Sequence, residues 1–427
     1  MIAALLSDAA PRADAADAVA KTDETITLTV DPAGGGRSVS SVSGGAQIRV
    51  FKDGRIGWRG ESGTASAALI DGALASAAAG EPVTVFLPAP APVAEVATRD
   101  LGTTRASIPE LWEMVRSLAG RLAGPEREVE AWLERSSGTV ALGNSRGVRA
   151  EYPVSLAGVG ARVRTPNAPP VDVHVAGGAL PTSLDLEQLA LEVDRRLSGP
   201  ALEAEEIGSC PVLFRPRAVR ALLRPILAAL TGDPGPIEPS LAVDLDLVRL
   251  DRRLTLIDDP LAPLRPGSRP IDDDGVPSLR LTLIDRGRVR TGLTDLLVGA
   301  RLDRPSTGHA WRSVLGAPRV GATNLRLLPD EGASDPLAAI DRGVLVEDLT
   351  WNAAPNAATG SFTLSAPWAY RIERGEVVGR LESVVLAGNA FEILGKVIAI
   401  GGDATWLGAA CLPSVAVEGV RVSAAAR

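Results

Sequence analysis

Residues 208–233 read GSCPVLFRPRAVRALLRPILAALTGD, and the organisation of the whole chain turns on them. A short apolar strand feeds a helix. Val219, Leu222, Leu223, Ile226, Leu227 and Leu230 recur at helical spacing and make one apolar stripe. Pro216 suits a first turn. Pro225 in the interior costs roughly 3 kcal/mol and predicts a kink. Between Pro216 and Leu230 there is no His, Cys, Ser, Asp or Glu. Such a helix packs against a core or a partner, but it has nothing with which to hold a metal or attack a substrate.

Upstream of it one pattern occurs twice. ITLTV (26–30) and AQIRVFKDGRIGWRG (46–60) alternate apolar and polar residues around an Asp53-Gly54 hairpin turn, and ASAALIDGALASAAA (65–79) has helical composition. Pro- and Ala-rich residues 80–105 read as a linker or long loop. Ser107 and Glu110 form a capping box ahead of Leu111, Val115, Leu118 and Leu122. Strands then return in EVEAWLERS (128–136), TVALGNSRGVRAEYPVSL (139–156) and ARVRT (161–165), with turns expected at Gly138 and at 145–147. SLDLEQLALEVDRRLSG (183–199) closes the repeat as an amphipathic helix.

Downstream the pattern is short strands rich in Pro and Gly. Segments 243–250, 253–258, 278–290, 343–351, 360–366, 369–379 and 415–422 alternate at period two, and helix is expected only at 335–343 and 389–400. The expected fold is α+β: an N-terminal duplicated strand–helix domain with mixed or antiparallel sheets, then a β-rich, barrel-like C-terminal domain. The expected divisions are 1–105 (first α/β repeat with linker), 106–231 (second repeat, ending in the apolar helix) and 232–427.

Aromatic residues make up 3% of the chain, so Ala, Val and Leu must fill the cores. A net charge of −8 argues against general nucleic-acid binding, which needs a basic surface. Arg215, Arg217, Arg220 and Arg224 read as a solvated helix face. Two separated cysteines, Cys210 and Cys411, fit buried thiols in a reducing compartment. With no membrane-length apolar stretch and no signal-peptide pattern at the start, the expected location is the cytoplasm.

Chemistry is sparse. The two histidines are His174, alternating with valines in VDVHVAGG, and His309, in the turn PSTGHAWR. Dense zinc-ligand spacings, a GxSxG elbow and a Walker loop are absent. Asp272, Asp273 and Asp274 lack the alternating oxygens of a calcium loop and read as a polar hairpin end.

Four segments carry a resemblance by their order and spacing. They are PGSRPIDDDGVPSLRLTLIDRGRV (266–289), TGLTDLLVGARLDRPSTGHAWR (291–312), GSFTLSAPWAYRIERGEVVGRLESVVLAGNAFEILGKVIAIGGD (360–403) and PSVAVEGVRVS (413–423). Together they resemble the TldD/PmbA family, the modulators of DNA gyrase. His309 stands where members commonly carry Asn, and Ile271 where they carry Phe. One branch, TldD, resembles a metallopeptidase whose HExxxH helix holds zinc while Glu polarises water. Segment 210–233 occupies the region of that helix and resembles the other branch, PmbA or TldE, which lacks the motif.

The resemblance implies a non-catalytic subunit of a cytoplasmic metallopeptidase complex acting on unfolded peptides. It implies no catalytic or metal residue and no cofactor in this chain, with zinc in a TldD-like partner. A homodimer or a heterodimer with that partner is expected, with neither membrane nor direct nucleic-acid contact. The implied peptide groove comprises Asp272, Asp273, Asp274, Gly275, Ser306, Thr307, Gly308, His309, Gly360, Ser361, Phe362 and Thr363. Exposed strand edges can hold a peptide backbone by β-augmentation. The alternative is a homodimeric peptide- or protein-binding regulator without protease activity.

Overall fold

A computed structural model describes residues 1–65, 67–202, 207–231, 249–329, 333, 335–351 and 359–424. Helix α1 (Ile2–Ala9) precedes three long strands, β1 (Ala15–Val30), β2 (Gly36–Lys52) and β3 (Arg55–Ser62), and helix α2 (Ala67–Ala78). Helices α3 (Leu101–Arg105) and α4 (Ile108–Leu122) lead into β4 (Glu128–Asn144), β5 (Arg149–Thr165), β6 (Ala168–Gly177) and helix α5 (Ser183–Leu197). The two three-stranded meanders are not separate. Antiparallel pairing of β1 with β4, from Asp17↔Asn144 to Val30↔Ala131, joins them in one six-stranded sheet ordered β3-β2-β1-β4-β5-β6.

Local chemistry explains most of these elements. Asp53 (φ 51°) and Gly54 (φ 68°) make the expected hairpin turn, whose two positive φ values match the right-handed strand twist. The Ser107 hydroxyl accepts from the Glu110 amide, and the Glu110 carboxylate accepts from the Ser107 amide at 2.7 Å, which starts α4. Thr182 and Asp185 do the same for α5. Gly138 does not turn the chain; it lies inside β4. A Cβ there would sit 1.9 Å from the Thr22 carbonyl, so glycine serves the close approach of β1.

The C-terminal unit begins with β7 (Gly208–Phe214), α6 (Pro216–Leu222) and α7 (Arg224–Leu230). Next come β8 (Leu256–Asp258), β9 (Leu281–Asp285), β10 (Arg288–Val289), α8 (Leu296–Arg301), β11 (Ala310–Trp311), β12 (Arg319–Val320) and β13 (Leu325–Leu327). The chain then runs through β14 (Arg342–Trp351), β15 (Ser361–Glu373), β16 (Glu376–Leu381), β17 (Val384–Asn389), α9 (Ala390–Leu394), β18 (Val397–Ile400), β19 (Thr405–Trp406), β20 (Ala410–Leu412) and β21 (Val415–Ala424). Pairings β14–β7–β21–β17–β15 and back to β14 close a five-stranded barrel. Strand β7 sits in that barrel, upstream of residue 232 where the sequence pattern changes. A second sheet runs β10-β9-β8-β13-β20-β19.

Several expectations are corrected here. The kink expected at Pro225 is present and is a full break into two helices, because Pro225 offers no amide and the chain breaks at Leu223 (ψ −12°). Segments 360–366 and 369–379 are one long β15 and its hairpin to β16, turning at Arg374 and Gly375 (φ 53° and 75°). The helix expected over 389–400 ends at Leu394. Val397, Ile398 and Ile400 then join β18, which pairs with β21. Segment 335–343 holds a single 3₁₀ turn, Pro336–Ala339, before β14 begins. Most of the strand expected over 243–250 lies outside the described residues.

Alternation along the barrel strands divides two cores. Val212, Phe214, Val344 and Val346 join Val219, Leu222, Ile226 and Leu230 of α6 and α7. Leu213, Leu345, Trp368 and Tyr370 point the other way, into a core shared with Leu118 of α4, Leu189 of α5 and Leu133 and Val159 of the N-terminal sheet. Trp368 is 1% exposed, and its Nε1 donates to the Pro170 carbonyl at 3.1 Å. The Tyr370 hydroxyl donates to the Arg196 carbonyl at 2.8 Å. Trp368→Ala leaves a cavity at this seam and should lower stability by about 3–5 kcal/mol in urea unfolding. A loss under about 1 kcal/mol would mean that the seam contributes little.

Candidate functional site

The acidic segment lies at the junction of the N-terminal sheet with the C-terminal unit. Asp272 turns the chain by accepting from the amides of Asp274 and Val276 at 3.0 and 2.8 Å on Oδ1 and from the Ala310 amide at 3.0 Å on Oδ2. Gly275 closes the turn through its amide to the Asp272 carbonyl. Asp273 accepts from Lys21 Nζ at 2.8 Å and from the Arg312 amide at 2.7 Å. Asp274 accepts from Arg49 Nη2 at 2.8 Å and from the Leu296 amide at 3.1 Å.

Asp17 of β1 completes the network. Its carboxylate accepts from Arg49 Nε at 3.0 Å and also binds Arg312 Nη1. Arg312 Nε donates to Gln47 Oε1 at 2.9 Å. Asp17, Arg49, Arg312 and all three aspartates of the turn are at most 3% exposed. Burial alone would raise the Asp17 carboxyl, but Arg312 and Arg49 outweigh it and hold it below the usual carboxylate range. Burial, then the Asp274 carboxylate, pushes the Asp272 carboxyl up to about 7, against Arg269 and the amides of Val276 and Ala310.

The turn of Ser306 to His309 packs beside the acidic segment. Arg269 joins them by donating to the carbonyls of Ala310 and Gly308 at 2.7 and 3.1 Å. His309, expected at an accessible turn, is fully buried. Its Nε2 pairs with Asp258 Oδ2 at 2.9 Å, and its Nδ1 lies 2.9 Å from Thr307 Oγ1. This Asp–His–Thr line has the order of a hydrolytic triad. The Thr307 hydroxyl, however, already accepts from the Thr294 amide at 2.7 Å, and His309 has no exposed surface from which to meet a substrate. Its geometry serves to hold the turn.

Residues 361–363 open β15 and pair with β17, and Gly360 precedes them. Phe362 is buried in the barrel core, while Ser361 and Thr363 are exposed. Gly360 faces Phe391, where a Cβ would sit 2.3 Å from the ring. The acidic segment and the Ser306–His309 turn are thus brought together, and strand 360–363 takes its contacts from β17 and α9 instead. Asp17, Lys21, Arg49 and Arg312, which complete the network, were not legible as site residues. They lie 32 to 295 positions from their partners and carry no local motif.

His174 lies in β6, Cys210 in β7, Cys411 in β20 and His309 in the loop before β11. Among the described residues no three His, Cys, Asp or Glu side chains are placed to hold a metal ion. His174, in β6, accepts from Arg217 Nη1 at 3.2 Å; burial, then Arg217 and Arg220, pushes its imidazole down to about 4. Cys210 and Cys411 are free thiols, half-buried rather than buried, and burial raises both.

Residues 207–424 match the PmbA/TldA metallopeptidase C-terminal domain. The chain belongs to the PmbA/TldD family. It is 25% identical over 220 residues to the metalloprotease PmbA homolog of Haemophilus influenzae, covering 51% of this chain and 46% of that one. It is 29% identical over 153 residues to the metalloprotease TldD homolog of Buchnera aphidicola, covering 35% and 31%. The chain therefore aligns with about a third to a half of these curated relatives' length. Its fold matches TldE from Thermococcus kodakarensis with a TM-score of 0.84 at 21% identity, over 99% of both chains. A putative modulator of DNA gyrase from Thermotoga maritima matches at 0.82 and 20%, again over 99% of both.

Arg49→Met leaves Asp17 and Asp274 short of a buried countercharge, which costs about 3–5 kcal/mol at neutral pH. Asp17 has a folded pKa below its unfolded value, so its stabilisation is present above about pH 4 and disappears as pH falls through the folded value. Asp272 has the opposite sign. It favours the fold below about pH 4 and loses that contribution as pH rises to about 7. Urea unfolding should show a large Arg49→Met deficit at neutral pH that shrinks in acid. A deficit independent of pH would contradict this electrostatic origin.

Proposed function

We propose that this chain is a non-catalytic, PmbA/TldE-type subunit that works with a zinc-bearing TldD-type partner in a peptidase acting on unfolded peptides. The observation that carries the reading is the α6–α7 pair. It stands in the region where the resemblance puts the metal helix, yet Val219, Leu222, Ile226 and Leu230 are spent on the barrel core. No metal ligand lies between Pro216 and Leu230. Similarity in fold to TldE along nearly the full chain supports the same branch.

In this reading zinc chemistry belongs to the partner, and this chain helps to enclose and present the peptide. The buried acidic segment keeps the N-terminal sheet and the C-terminal unit in fixed relation, while exposed groups such as Ser361 and Thr363 are free to meet substrate. A peptide adding to a strand edge is recognised through its backbone, which suits sequence-tolerant cleavage.

Co-expression with an HExxxH-bearing relative tests the proposal. The two chains should co-purify, and only the complex should cleave an unstructured peptide such as reduced, denatured casein. Changing the motif Glu of the partner to Gln should abolish cleavage without dissociating the chains. Cleavage by this chain alone would overturn the reading. Failure to associate, with peptide still bound by a homodimer, would favour a regulatory peptide-binding protein.

A further inference from the structure

A cleft of about 550 Å³ opens where α5, the β7–α6 junction, β14 and the loop before β19 meet. Its size suits a small chemical group or a short stretch of chain. Four guanidiniums reach it, Arg195, Arg196, Arg215 and Arg217, against three carboxylates, Glu192, Glu347 and Asp403. These arginines were expected in part to form a solvated helix face. Arg215 and Arg217 instead turn into the cleft, and Arg220 remains exposed.

The pairing inside the cleft is unequal. Arg195 donates to Glu347 at 3.0 Å, and Arg196 and Arg217 share the Glu192 carboxylate. Arg217 is further occupied by the ring and carbonyl of His174 at 3.2 and 3.1 Å. Arg215 is left with Ser414 Oγ at 3.4 Å and Asp403 at 3.5 Å, and its buried Nε has no hydrogen-bond partner. Asp403 is itself engaged by the Ser414 amide and hydroxyl at 2.8 and 2.6 Å. Arg196, 2% exposed, also has an Nε without a hydrogen bond, 4.0 Å from Glu347.

With His174 neutral, the cleft holds one cation more than its anions balance. A single surplus charge matches a monoanion better than a phosphate dianion, and a planar guanidinium fork matches a planar carboxylate. Leu191, 61% exposed, supplies an apolar ledge in the same lining. We propose that this cleft binds a peptide carboxylate, with Arg215 as its main partner and Arg195 at the mouth. The inference rests on the peptide-handling reading above and names the part of the peptide that this chain holds.

The test uses the full chain alone, with neither metal nor partner. The probe is an N-terminally dansylated Ala-rich hexapeptide ending in Leu, prepared as the free acid, as the C-terminal amide, and as the amide with one internal Glu. Binding is read by fluorescence anisotropy. The free acid should bind about tenfold more tightly than the amide, the size of a charge-assisted hydrogen-bonded pair. If the Glu-bearing amide recovers the affinity, the cleft takes acidic side chains; if it does not, the cleft takes chain ends.

Arg215→Gln should remove the preference for the acid, and Arg195→Gln, at the exposed mouth, should weaken it about threefold. Circular dichroism checks that both variants fold, and the acid–amide comparison on the unaltered chain stands even if Arg215→Gln does not. No binding by the unaltered chain, or equal binding of all three peptides, overturns the proposal while leaving partner-dependent cleavage untouched. Loss of partner-dependent cleavage, conversely, leaves an acid-selective cleft intact.

Discussion

The Asp17 carboxylate, gripped by Arg49 and Arg312, is the contact on which the relation of the two halves depends. Ions removed from water are tolerated only when paired and hydrogen-bonded, so each must find its counterpart before the junction can close. Arg49 links Asp17 of β1 to Asp274, and Arg312 links Asp17 to Gln47 of β2 and to the Asp273 turn. A pairing this specific admits one orientation of sheet against turn. Apolar contacts, being non-directional, would admit several. The three aspartates therefore position the halves of the protein, and they sit together because Lys21, Arg49 and backbone amides compensate them.

Packing reinforces that arrangement through strand alternation. Residues 212 and 214 of β7 face the α6–α7 core, while 213 faces the core shared with the N-terminal sheet. A single strand thus serves two layers, and period-two patterning is what allows it. The break at Leu223 lets α6 and α7 both lay apolar residues against the barrel, which a straight helix of the same length would do less completely. The apolar stripe of residues 219–230 is used up by the core.

Elements set by local chemistry were legible in the sequence. The Asp53-Gly54 turn, the Ser107–Glu110 capping box and the alternating strands all follow from neighbours a few positions apart. Elements set by tertiary contact were not. Gly138 looks like a turn until the Thr22 carbonyl beside it is seen. Residues 397–400 look helical until β21 offers a pairing edge. His309 looks like a surface turn until Asp258, 51 positions away, pairs with its ring in the interior. The acidic segment stood out by composition, but its partners Asp17, Arg49 and Arg312 are ordinary strand and loop residues whose meaning appears only once the fold joins them.

Family membership and the TldE-like fold set the frame within which the helix pair acquires its functional weight. On the proposed reading, a chain that keeps the architecture and fills the region of the metal helix with core residues leaves the chemistry to a partner. Elemental analysis of zinc is the most direct measurement, made on this chain purified alone and again after co-purification with an HExxxH-bearing relative. The chain alone should carry no stoichiometric zinc, and the complex should carry it together with peptidase activity. Stoichiometric zinc in the chain alone would contradict a non-catalytic role and point to His174, His309, Cys210 or Cys411.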